Sequence, residues 1–166
     1  MRRFLVVGAL AAIVAAVAVP GVGAAGAISS KYSVSGLETS IPTNNTSKFA
    51  GGAVGSGGDA AVWKASVVHQ GLSNCPFGSN TNCQITGGTF ALTSSDGGTL
   101  AGTFVQGQVT PRLQQAGCGK QVFGVIGTVA TNQGPATFRA TLTHYRTSLF
   151  GTCVPYFATI TGSVQL

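Results

Sequence analysis

Residues 135–147 read PATFRATLTHYRT, and the character of the side chains changes at every second position. Phe138, Ala140, Leu142, His144 and Arg146 fall on one face of an extended chain, and Arg139, Thr141, Thr143, Tyr145 and Thr147 on the other. This period of two predicts a half-buried strand whose apolar face ends in a histidine and an arginine.

The same texture extends over residues 60–166. Strands are expected at 61–70, 84–94, 99–110, 121–131, 135–147 and 155–166, separated by turn signals such as Asp96-Gly97-Gly98 and Asn132-Gln133-Gly134-Pro135. With 25 glycines, only 7% charged residues and abundant Thr and Val, the chain is expected to be all-β. The expected fold is a small antiparallel up-and-down barrel, or a sandwich, of about six to eight strands stabilised by disulfides. The runs Gly87 to Phe90, Gly102 to Gly107 and Phe123 to Gly127 look like those of small secreted barrels, lipocalin-like and dirigent-like ones among them. This likeness is one of architecture, and architecture does not fix function.

If sequential neighbours pair as a meander, alternate connections lie at the same end of the domain. Cys75, Cys83, Cys118 and Cys153 then gather at one end. Four cysteines allow three pairings, of which Cys75–Cys83 and Cys118–Cys153 are expected. A zinc site is the alternative, but no C-x-x-C spacing is present.

Alternation also orients the other strands. In the last one Tyr156, Ala158, Ile160, Gly162, Val164 and Leu166 share the inward face, and in the first Trp63, Ala65, Val67 and His69 do. His69 and His144 should meet at the cysteine-bearing end, with Arg146, Tyr156 and Gln108 as neighbours and Arg112 close by. A small anionic ligand is the partner expected of this basic mouth.

Towards the N-terminus, Arg2-Arg3, an apolar run from Phe4 to Val19 and the small residues around Ala24 and Ala27 form a secretory signal pattern over residues 1–27. Cleavage is expected after Ala24 or Ala27, giving a secreted protein in the extracellular space or cell envelope with no membrane partner once the signal is gone. Residues 28–59 are expected to form a Gly/Ser/Thr/Asn-rich arm with a short strand within 28–37, ahead of a barrel domain at 60–166. Asn44 and Asn45 each begin an N-x-[ST] triplet. Gly55 to Ala60 has the letters of a dinucleotide-binding loop but lacks the strand before it and the helix after it.

Without Arg2 and Arg3, seven Lys and Arg face three acidic residues, a net charge of +4 spread thinly along the chain. This pattern excludes a basic stripe for nucleic acid. A catalytic triad requires a carboxylate behind its base. Asp59 and Asp96 belong to the far end and Glu38 to the expected arm, so neither a triad nor a paired-carboxylate centre is expected. No cofactor motif or protein-only metal site is evident. Three function classes follow: a non-catalytic binding module for a small or acidic ligand, a structural or cell-surface interaction protein, and an enzyme using His144 as acid or base.

Overall fold

A period-two chain with one apolar face must hide that face, and here the sheet closes on itself to do so. The computed structural model describes residues 26, 28–40, 45–71 and 82–166. Eight strands run in chain order: β1 (Lys31–Glu38), β2 (Thr46–Gly55), β3 (Ala60–His69), β4 (Cys83–Ser94), β5 (Thr99–Gln114), β6 (Gln121–Thr131), β7 (Gly134–Leu149) and β8 (Thr152–Gln165). Each pairs antiparallel with the next, and β8 pairs with β1 to complete a closed up-and-down barrel. The signal pattern at 1–25 and Ala27 lies outside the described residues, as do the sequon at Asn44 and the loop carrying Cys75.

An eight-stranded barrel has an interior just wide enough to be filled by side chains. Inward positions of successive strands supply Val34, Phe49, Trp63, Phe90, Leu100, Phe104, Phe138 and Ile160, all buried. Phe138 sits 6.0 to 6.2 Å, centroid to centroid, from the rings of Trp63, Phe90 and Phe104. The indole of Trp63 lies along the wall and donates to the Ser35 carbonyl two strands away, at 3.0 Å. Gly51 makes that reach possible, because it stands opposite both Trp63 and Gly36 and a β-carbon there would meet the Ser35 carbonyl oxygen at 1.9 Å. Outward positions carry Ser33, Ser35, Lys48, Lys64, Thr141 and Thr161. The apolar interior contrasts with the polar interior of a membrane-spanning barrel.

The stretch 39–59, expected as an arm, contributes a full barrel strand. In β2, Ser47, Phe49 and Ala53 are buried on the inward face, and the domain boundary expected at residue 60 falls between two paired strands. The small side chains of this segment, which suggested a linker, are those that fit a tightly coiled wall.

Connections β2–β3, β4–β5 and β6–β7 define one end, and β1–β2, β3–β4, β5–β6 and β7–β8 the other. The first end is stapled by local polar bonds: Ser29 Oγ donates to Asp59 Oδ1 at 2.6 Å, Ser94 Oγ donates to Asp96, and the Leu166 amide bonds the Ser30 carbonyl at 2.9 Å. Burial is the main cause that raises the Tyr32 phenol here, with Asp59 adding to it. The second end carries the cysteines. Cys118 and Cys153 are joined, with Cα atoms 5.2 Å apart; Cys83 is disulfide-bonded too, and its expected partner Cys75 lies outside the described residues. A disulfide fits an oxidising compartment outside the cytoplasm. Among the described residues no helix is long and apolar enough to cross a membrane.

Candidate functional site

At the cysteine-bearing end the apolar lining gives way to four polar side chains. Each arrives by simple alternation: Glu38 follows Tyr32, Val34 and Gly36 on the inward face of β1, Ser47 opens β2, His69 closes β3, and His144 follows Phe138, Ala140 and Leu142 on β7. Ser47, His69 and His144 line an interior cavity of about 40 Å³, whose other walls include Phe49, Val67, Phe123, Leu142 and Ile160.

His144 Nε2 lies 2.9 Å from Glu38 Oε2, and the two side chains are only 7% and 6% exposed. The contact is close without being a well-aligned hydrogen bond, and His144 Nε2 and Glu38 Oε1 both lack a hydrogen-bond partner. The edge of Phe123 packs against the imidazole with centroids 5.2 Å apart. On the opposite wall, four strands away around the barrel, His69 Nδ1 is 2.7 Å from the Gln70 carbonyl and Nε2 is 3.3 Å from Ser47 Oγ. A carbonyl can only accept, so Nδ1 carries the proton, and in the neutral ring Nε2 accepts from the serine hydroxyl. Each histidine is therefore held by a different partner, one acidic and one neutral.

Glu38 also lines a surface groove of about 220 Å³ on the outer side of the barrel rim, with Thr39, Ser40, Pro155, Tyr156, Phe157 and Ala158. Glu38 thus borders the groove and, through its contact with His144, adjoins the wall of the interior cavity. Among the described residues no cluster of three or more His, Cys, Asp or Glu could hold a metal ion.

Of the five residues expected at one mouth, the two histidines reach the cavity and three do not. Arg146 stays on the His144 side of β7, but β6 ends opposite His144. Its guanidinium therefore meets the β5–β6 connection, where Nε donates to Gly119 O at 2.8 Å and NH2 lies 3.4 Å from Gln115 O and Gly117 O. Tyr156, expected inward, is 68% exposed. A register shift pairs Tyr145 with Phe157 and Arg146 with Pro155, leaving Tyr156 as the extra residue of a bulge that reverses parity. Gln108 faces outward because a second bulge between Phe104 and Gln106 reverses parity along β5, and its side chain accepts from Asn82 Nδ2 at 3.0 Å. Arg112 is likewise on the outer surface, laid over Gly124.

Glu38 and Ser47 complete the site and were missing from the sequence-based set. Continuing the alternation of Tyr32, Val34 and Gly36 by one more step would have placed Glu38 inward. The expectation of an acid-free mouth is corrected by this residue, since the imidazole of His144 already faces a carboxylate. No family model, curated protein or solved structure matches the chain, so the geometry alone carries the functional argument.

Proposed function

We propose that the protein is a secreted binding barrel that takes a small, mostly apolar ligand bearing a hydrogen-bond donor, an amine or a hydroxyl, at the Glu38–His144 pair. The observation that carries this reading is Glu38 Oε1, a buried acceptor without a partner on a residue that lines the groove. Leaving such an atom unpaired costs about 1–3 kcal/mol, a cost that a donor on a ligand would remove. Tyr156 and Phe157 offer an apolar wall for the ligand body. The interior cavity, at about 40 Å³, has room for about three waters, so the ligand body belongs in the groove and only a small group reaches inward. The cleavable-signal pattern and the disulfide support export.

An acidic ligand has weaker support than the sequence suggested, because Glu38 would repel it and Arg146 is engaged by backbone carbonyls. A second reading, acid–base catalysis at His144, gains from the same carboxylate: an oriented imidazole beside a buried acid is the pairing that proton transfer uses.

Titration of benzylamine, benzyl alcohol and benzoate, followed through the histidine ring protons by nuclear magnetic resonance, tests the reading. The amine and the alcohol should shift His144 saturably and benzoate should not. Tyr156→Ser, at an exposed position, should weaken that binding severalfold without altering stability. Absence of a saturable shift with all three probes, or a Tyr156→Ser variant that binds as well as the parent, overturns it. Turnover of a probe that disappears in His144→Ala with the fold intact would establish the catalytic reading instead.

A further inference from the structure

The β7–β8 hairpin is longer than the barrel needs. Pairing of β6 with β7 stops at His144, and pairing of β1 with β8 stops at Thr159, yet β7 and β8 continue together to Leu149 and Thr152. Five residues of β7 therefore stand beyond the rim, a projection of roughly 17 Å at 3.4 Å per residue. This projection is braced. The Cys118–Cys153 disulfide and the three Arg146 bonds tie it to the β5–β6 connection.

Its surface is apolar where solvent would favour polar groups. Tyr145, Leu149, Phe150, Tyr156 and Phe157 are all exposed, and Tyr145 packs against Phe157 with the rings tilted and centroids 5.7 Å apart. Phe150, 99% exposed, occupies the tip. Phe150 and Gly151 have φ of 50° and 78°, the mirror-image two-residue turn in which Asn-Gly is the favoured pair. An aromatic residue here is unfavourable both for the backbone and for hydration, and neither cost serves the packing of the barrel.

Charge is distributed along the same axis. Lys48, Arg112 and Lys120 lie at the hairpin end, where Arg146 is held by backbone carbonyls and Glu38 is buried on the inward face. Asp59, partly buried, and Asp96, exposed, lie at the opposite end, where Lys31 is the one basic residue among the described strand ends. We infer that the hairpin tip docks on the surface of an anionic lipid bilayer, with Phe150 and Leu149 entering the headgroup boundary, the tyrosines at its level and the basic residues against the phosphates. The sequence led to the expectation of no membrane partner once the signal is gone, and this proposal departs from it.

The test is co-sedimentation of the full chain with vesicles of phosphatidylglycerol and phosphatidylcholine, compared with vesicles of phosphatidylcholine alone. Binding should favour the anionic vesicles and weaken in high salt. Phe150→Asn suits the turn, so it should raise thermal stability while lowering vesicle affinity tenfold or more. Phe150→Trp should add an emission that shifts to the blue on anionic vesicles. Equal sedimentation of the parent and Phe150→Asn, or an unshifted Phe150→Trp emission, overturns the proposal.

Discussion

Replacing Leu142 by alanine probes the fold and the site together. Its side chain is buried on the inward face of β7 and forms part of the wall of the interior cavity. Three carbons leave the core, which costs about 2.4 kcal/mol in transfer free energy at ~0.8 kcal/mol per methylene. The surrounding wall is a closed ring of hydrogen-bonded strands and cannot collapse inward, so a further void of roughly 60–80 Å³ remains and adds about 1.5–2 kcal/mol at ~24 cal/mol per Å³. The expected loss is about 4 kcal/mol. Thr141→Ala, one residue away on the exposed face, should stay within about 0.5 kcal/mol. Urea unfolding under non-reducing conditions, with both midpoint and slope compared, measures both variants. A loss below about 1 kcal/mol for Leu142→Ala, or equal losses for the two, would refute the assigned face of β7 and with it the placement of His144.

Glu38→Leu should destabilise by about 1–3 kcal/mol, because it leaves the buried His144 imidazole without the carboxylate it faces; urea unfolding near neutral pH checks this. Breaking the Cys118–Cys153 bridge with a Cys118→Ser, Cys153→Ser double variant should cost about 4 kcal/mol for a closed segment of 35 residues, and non-reducing peptide mapping of the parent should recover the Cys118–Cys153 link. Ser29 Oγ and Ser94 Oγ hold the Asp59 and Asp96 carboxyls below their ordinary value of 3.8. Their contribution is therefore complete above that pH and is lost as pH falls through the lower folded values. A thermal-melt series from pH 6 to pH 2 should fall more gently over the acid range for Asp96→Asn than for the parent.

Where side chains alternate strongly in size and polarity, parity was legible. Phe138, Leu142 and His144 on β7, Trp63, Val67 and His69 on β3, and Ile160 and Val164 on β8 all face inward as expected. The signal weakens in β2, where Ser47, Gly51, Ala53 and Gly55 offer little contrast between faces and read as linker. It fails at bulges, because an extra residue in one strand is a property of the pairing between two strands and leaves no local mark. Tyr156 and Gln108 were misplaced for that reason. Arg146 illustrates a third limit: its face was anticipated, but what it meets depends on β6 ending earlier than β7. Glu38 was obscured by the assignment of 39–59 to an arm, which removed the strand context that makes its position informative.

Closure of the barrel sets a schedule for making it. The seam joins Lys31 to Gln165, residues separated by 134 positions, whereas the other seven pairings link consecutive strands. Relative to a 10-residue hairpin loop, bringing such distant ends together costs roughly 2 kcal/mol more in chain entropy. It also cannot begin until nearly the whole chain has emerged. Until then β1 and β7 are bare edges able to pair with another copy. A chain stopped after residue 151 would retain both edges permanently and lack Cys153, so self-association rather than a smaller barrel is its natural outcome. The last fourteen or so residues thus act as the fastener that renders all the preceding strands inert to one another.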